Sequence, residues 1–443
     1  MNEHYQGRHL QAIPFLQRAV ELDPNFASAW IHLGVMYNNT SQPQRAAESA
    51  TRAYELRERV TERERFRIMI WYYDFATGEI KPQIEVLEQY RQTYPRDAVP
   101  LTNLFRCYDM LGQPEQAEVA AREALRLTPR AAVSHVNHAY VLLRLNRLAE
   151  SRAVLQRMKE LQILYSKSYQ ILFSLASLTD DEATQRQVLE QLDGQSDAYL
   201  AWQLRAERAL FLGKWRQAQA LARRAQELAT SQRNLSVVAA LASQLALNTA
   251  LLGTTNSAGQ ARPLARHIQE ALALERERTT LSNSALAQAL SGHRAQAQAL
   301  QAELAQRYPR HTLINLVWLP MIRAALALHD GQAAQVLEQL RPVERYEVGA
   351  DFWPQYVRGL AYLQLRAGSE AAAEFRKITE HRSYAPLSLL WPLAHLGLAR
   401  ATALTGNTVE SKKAYEAFFA LWKEADADLP LLKEAQREAA QLP

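Results

Sequence analysis

Apolar residues recur along the chain at helical spacing, and short polar turns interrupt them at near-regular intervals. Between 27 and 58, Trp30, Leu33, Gly34 and Tyr37 stand at i, i+3, i+4 and i+7, one face of a helix. A polar break at 39–43 precedes a second helix carrying Ala46 and Ala53. Between 95 and 129, Leu101, Leu104 and Tyr108 repeat the first face, Gly112 marks the turn, and Ala117 and Ala124 mark the second helix. Pro129 follows Pro95 by 34 residues, and Gly112 follows Gly78 by 34. Gly7 as a turn, Ala12 and Ala19 on a second helix, and Pro24 as a stop fit the same ruler.

Each recurring residue has a physical reason. Gly34 and Ala46 are small where two antiparallel helices cross closely, and Trp30 and Tyr37 fill the space beside that crossing. Gly112 permits the tight connection, and proline at 24, 95, 129 and 309 prevents the second helix from continuing. The set Trp30-Leu33-Gly34-Tyr37-Ala46-Ala53 resembles the tetratricopeptide repeat, a helix–turn–helix of about 34 residues. Leu104-Tyr108-Gly112-Ala117-Ala124-Pro129 and Trp202-Ala206-Gly213-Ala218-Ala225 resemble it too, while the units around Asn146 and Asp180 are degenerate but keep the register.

The period then lengthens. Candidate turn glycines at 213, 253, 292, 331, 368 and 406 are 40, 39, 39, 37 and 38 residues apart. The extra residues amount to about one helical turn at ~3.6 residues per turn, so longer helices or loops are expected. The segments 253–259 (GTTNSAG) and 341–354 (RPVERYEVGADFWP) stand out as a polar loop and an insertion. The predicted fold is all-α, a right-handed solenoid of about twelve hairpins whose first hairpin lacks most of its first helix. Residues 1–230 form a regular array, 231–424 a longer-period array, and 425–443 a capping helix with Leu429, Leu431, Leu432, Ala435 and Ala439 on its apolar side.

Composition narrows the function. The 443 residues are 48% hydrophobic, and only 15 are glycine and 17 proline, which favours helix over a turn-rich β fold. One cysteine excludes a disulfide framework or a multi-cysteine metal site. The 51 basic and 46 acidic residues are interspersed, so the net charge of +5 makes no concentrated nucleic-acid face. The N-terminal ten residues show no apolar signal-peptide core, and 239–253 is too polar for a spanning helix, so a cytoplasmic location is expected.

Residues 308–442 resemble something narrower. The runs RYPRHTLINLVWLPMIRAALAL, PQYVRGLAYLQLRAGSEAAAEFRKITEHR and LAHLGLARATALTGNTVESKKAYEAFFALWKEADADLPLLKEA look like the C-terminal region of large bacterial regulators. YYDFATGEI and YRQTYPRDAVPLTNL in the first half fit the same group. In those regulators a serine/threonine protein kinase or winged-helix domain precedes the repeats, and a membrane segment that often intervenes would place the repeats outside the cell. The resemblance therefore implies a regulatory tail, with such an effector domain as a possible partner. The kinase motifs are missing: no GxGxxG occurs, and Asp74-Phe75 and Asp351-Phe352 are followed by Ala76 and Trp353, not glycine. The expectation is a non-catalytic protein- or peptide-binding scaffold of bacterial signalling, needing no cofactor. The alternatives are a detached kinase tail and the small-molecule sensor region of a transcription regulator.

Candidate chemistry is sparse. His135 and His138 could share a metal, but His138 falls on the packing face. Cys107 reads as a buried, inert thiol, and Asp180-Asp181 and Glu424/Asp426/Asp428 read as caps and solvated charge. The concave surface of tetratricopeptide arrays binds protein segments, and carrying its positions over selects Asn38, Tyr72, Arg106, Tyr140 and Arg144, with Asn137 as an addition. Ile31 and Val35 stand where a carboxylate clamp needs lysine and asparagine, so capture of free C-termini is not expected. Trp71-Tyr72-Tyr73 and Phe352-Trp353 are candidate aromatic anchors. For a small-molecule sensor, the expected pocket lies at 341–354, with Tyr346, Phe352 and Trp353.

Overall fold

The computed structural model describes residues 9–40, 42–195, 197–253 and 261–442, the side chains of 9, 10, 261 and 262 excepted. These residues form 24 α-helices and no strand. The helices pair into antiparallel hairpins, from Ala27–Asn39 with Pro43–Glu55 to Leu390–Leu404 with Thr408–Leu421. The helix His9–Leu22 precedes them and Pro430–Ala440 follows. Gly7 and most of the 253–259 loop lie outside the described residues. The close crossing holds: a Cβ on Gly34 would sit 3.2 Å from the Ala46 carbonyl oxygen.

The turns keep a stricter ruler than the glycines do. Left-handed backbone recurs at Gly78, Gly112, Asn146, Asp180 and Gly213, so the two units without a glycine use Asn and Asp, which tolerate that conformation. Asp181 then caps Glu182–Asp193 by accepting from the Thr184 N–H at 3.0 Å. One expected turn glycine moves. Arg366, not Gly368, takes the left-handed turn, and Gly368 opens the next helix against the Ala401 carbonyl, 2.7 Å from where a Cβ would stand. The longer period has two sources: the 17-residue helices Trp215–Ser231 and Leu235–Leu251, and elaborated connectors such as the 3-10 segment Arg341–Ala350.

The array winds back on itself. Hairpin turns of the first half dock against connectors of the second half, through hydrogen bonds between residues 204 to 240 positions apart. The Thr312 N–H donates to the Gly78 carbonyl at 3.0 Å, and the Ile80 N–H to Thr312 Oγ1 at 3.0 Å. Gly112 packs against Val348 and Gly349. Arg382 donates to the Ser177 carbonyl at 3.0 Å, while its guanidinium lies over Phe211 and Trp391. Trp422 Nε1 donates to the Phe211 carbonyl at 3.2 Å, and the Asp426 N–H to the Gly213 carbonyl at 3.1 Å. The acidic group Glu424/Asp426/Asp428 is therefore not plain solvated charge: it pairs with Lys214, the Arg216 N–H and the Arg216 guanidinium. Two tiers result, joined along one seam.

The seam and core hold neutral histidines. Burial, helped by nearby arginines, pulls His267, His311 and His395 down to about 4. A histidine depressed in the folded chain stabilises it fully above the unfolded value of about 6.5, and that contribution is lost as pH falls toward 4. For fully buried His267 and His311 the loss is about 3 kcal/mol each. The melting temperature is expected to drop steeply between pH 6.5 and 4, with a shallower slope over that window in His311→Asn, as measured by circular dichroism. A second expectation concerns Gly78, where a Cβ would overlap the His311 ring on a left-handed backbone. Gly78→Ala should destabilise the seam by about 3 kcal/mol, seen as a lower urea midpoint and faster amide exchange at Thr312.

Candidate binding surface

The residues expected to line one concave surface fall into different environments. Asn38 and Asn137 are half-buried, and their side-chain amides make no hydrogen bond among the described residues. Tyr72 begins a π-helical segment, Tyr72–Thr77, that continues the helix Glu62–Trp71. Its ring stacks on Tyr54 at 3.8 Å, and its hydroxyl accepts from Arg310 of the second tier at 3.1 Å. Of the other expected anchors, Trp71 stacks on Phe75 at 5.0 Å. Arg106 reaches back one hairpin to buried Asp74, with NH2 3.0 Å from Oδ1 and NH1 2.9 Å from Oδ2. That carboxylate holds the guanidinium above its usual range.

Tyr140 and Arg144 do not face an open groove. Arg144 is buried; its NH2 donates to the Val348 carbonyl at 2.6 Å and its NH1 to the Tyr140 hydroxyl at 3.0 Å. Asp109 lies 3.3 Å from its Nε and Asp351 3.7 Å from its NH1. Burial pushes the Tyr140 phenol up to about 12. The second tier occupies this stretch of the first tier's inner side, so the expected contact residues here serve intramolecular packing.

Sequence reasoning missed Lys167, near the start of Ser166–Leu178, a first helix of its hairpin. It is exposed and has no hydrogen bond or ion pair among the described residues. Partial desolvation by the neighbouring helices nonetheless pulls its ammonium below the usual lysine range, and the Arg106 charge adds to that. Glu207 is held above the usual carboxylate range by burial, with Gln203 donating to it at 2.9 Å. The one signal in the sequence for Lys167 is rarity, since nearly all basic residues are arginines.

The remaining candidates resolve into packing. His135 lies 3.0 Å from the Pro129 carbonyl and His138 3.4 Å from Glu118 Oε1, so the two imidazoles are engaged separately. Cys107 is buried, its Sγ donating to Gln83 Oε1 at 3.3 Å, and burial pushes the thiol up to about 12. The 341–354 segment does not form the expected pocket: Val343, Tyr346, Phe352 and Trp353 are buried in the hydrophobic core. A cavity lies instead across the seam, near 73–83 and 278–318.

The family comparison matches residues 15–48 to a tetratricopeptide repeat, which takes in the Trp30–Ala46 signature. The chain thus carries a tetratricopeptide repeat within a solenoid of like hairpins. No curated protein matches the sequence. Among solved structures, the human IFIT1 dimer with m7Gppp-AAAA aligns at 13% identity over 94% of this chain and 95% of that one, with a TM-score of 0.40. Yeast Tom70 aligns at 14% identity over 94% and 96%, with a TM-score of 0.35. A chain of the APC/C hetero-tetramer Cut9–Hcn1 aligns at 10% identity over 99% and 95%, with a TM-score of 0.35. No helix among the described residues is long and apolar enough to cross a membrane.

The two kinds of position separate by mutation. Arg144→Ala strands Asp109 beneath the second tier and should cost about 3 kcal/mol. Asn38→Ala should change stability by less than about 0.5 kcal/mol. Urea denaturation of the two variants beside the wild type measures both.

Proposed function

We propose that the chain is a non-catalytic scaffold that binds an acidic segment of a partner protein around Lys167 of the first tier, clear of the stretch at Tyr140 and Arg144 that the second tier covers. The carrying observation is Lys167, a cation with no ion pair among the described residues that feels the charge of Arg106, whose own charge is already matched by Asp74. Both belong to first helices, which line the inner side of such arrays. Leaving one charge unpaired in a partly desolvated site is unfavourable for the free protein, and an incoming carboxylate relieves it. In this reading residues 1–230 supply the binding face, 231–424 brace it, and 425–443 close the end. Service as the docking region of a bacterial signalling protein, with a kinase or winged-helix effector, rests on the sequence resemblance alone.

Panning a displayed peptide library against the full chain tests the proposal. Enriched sequences are expected to carry acidic residues, and Lys167→Glu is expected to weaken their binding at least about tenfold, or about 1.4 kcal/mol, with an unchanged melting temperature. Enrichment of sequences without acidic residues, or binding that survives Lys167→Glu, would sink it.

A further inference from the structure

The cavity across the seam has the chemistry of a ligand site. It measures about 180 Å³ and draws its walls from both tiers. The first tier gives Tyr73, Gly78, Ile80 and Met110, and the second gives Leu313, Ile314 and Trp318 as apolar wall. The helix Arg278–Leu290 gives Arg278, Thr279, Ser282 and Asn283 as polar wall, and Asp74, Gln83 and His311 add polar groups from other elements. Arg278 is exposed and has no carboxylate partner among the described residues; its guanidinium donates from NH1 to His311 Nε2 at 3.0 Å. Burial keeps that imidazole neutral, so it does not compete for an anion. Asp74, also on the wall, is already neutralised by Arg106. Ser282 is 3% exposed and its Oγ has no hydrogen-bond partner among the described residues. Asn283 donates to Ser243 Oγ at 3.3 Å. Glu277 already caps the N–H groups of Thr279 and Thr280, so the free donors of the site are side chains.

We propose that this cavity binds a small organic acid with an apolar body, its carboxylate held by Arg278 and Ser282 and its body against Met110, Leu313 and Trp318. The guanidinium's remaining N–H groups form a planar fork that matches a carboxylate, and a buried hydroxyl without a partner is costly until a ligand or water meets it. The volume falls below the ~300–1,000 Å³ of pockets for drug-sized ligands, which limits the occupant to a small molecule and excludes a peptide segment. Because the walls come from both tiers, such a ligand ties the seam shut, and binding should appear as added stability. The site does not rest on the scaffold reading, since Lys167 takes no part in lining it.

The probes are 3-phenylpropionate, phenylacetate and their neutral amides, titrated calorimetrically into the full chain and followed by thermal melting. At least one acid is expected to bind and to raise the melting temperature, with its amide at least about tenfold weaker. Arg278→Gln should erase that discrimination. Should Arg278→Gln disturb the fold, Ser282→Ala removes only an unpartnered hydroxyl and should weaken the acid several-fold. The proposal is overturned if neither acid binds at 5 mM, if acid and amide bind alike, or if both variants bind the acid as the wild type does. A cavity holding only water would give the first of these results while leaving the peptide selection through Lys167 untouched.

Discussion

The constraint on which the rest depends is the unmet hydrogen-bonding capacity of hairpin turns. A helix ends with carbonyls that have no intrahelical donor, and an isolated hairpin leaves them to water. Along the first tier these groups face one way, and the second tier meets them. Phe211 and Gly213 accept from Trp422 and Asp426, Gly78 from Thr312, Ser177 from Arg382, and Arg144 from Ser383. Backbone acceptors are indifferent to the side chain above them. The seam can therefore run past turns built on Gly, Asn or Asp without change.

This arrangement divides the charges into two populations. Those on the seam, such as Arg144 between Asp109, Asp351 and two carbonyls, are committed to the fold. Deeper in the second tier, buried Arg358 is held the same way by Glu374 at 2.7 Å and by Glu347. Lys167 and Arg278 differ from these: among the described residues no carboxylate pairs with either, and Arg278 donates to His311 instead. Both are exposed, so leaving them without a carboxylate costs the fold little, in contrast to the buried arginines of the seam and core.

The repeat was legible because it depends on local contacts. Gly34 against Ala46, and the turn at Gly112, are decided by residues within one hairpin, and the chain displays them at fixed spacing. The seam was not legible, since it joins backbone groups more than 200 positions apart and leaves no residue type as a mark. That explains why Tyr140 and Arg144 read as groove positions: their place on the first helix was right, and what lies opposite them was invisible. It also explains the insertion at 341–354, whose aromatic residues suggested a pocket but fill the core beneath the first tier. Lys167 and Arg278 escaped notice because their meaning is the absence of a partner, which only packing reveals.

The unequal periods of the two halves then acquire a physical reason. Turns of the first tier at Gly78, Gly112, Arg144, Ser177 and Gly213 are met by connectors at Thr312, Gly349, Arg382–Tyr384 and Asp426. Fewer connectors than turns span the same seam, so each second-tier unit must reach further than a first-tier unit does. The connector at 382–384 shows how the mismatch is absorbed: Ser383 serves the turn at Arg144 while Arg382 serves the next one at Ser177. A second half with the shorter period would put one connector opposite each turn and leave none to bridge two. The extra residues in Arg341–Ala350 and around 422–429 thus work as spacers that keep donors opposite acceptors along the length of the seam.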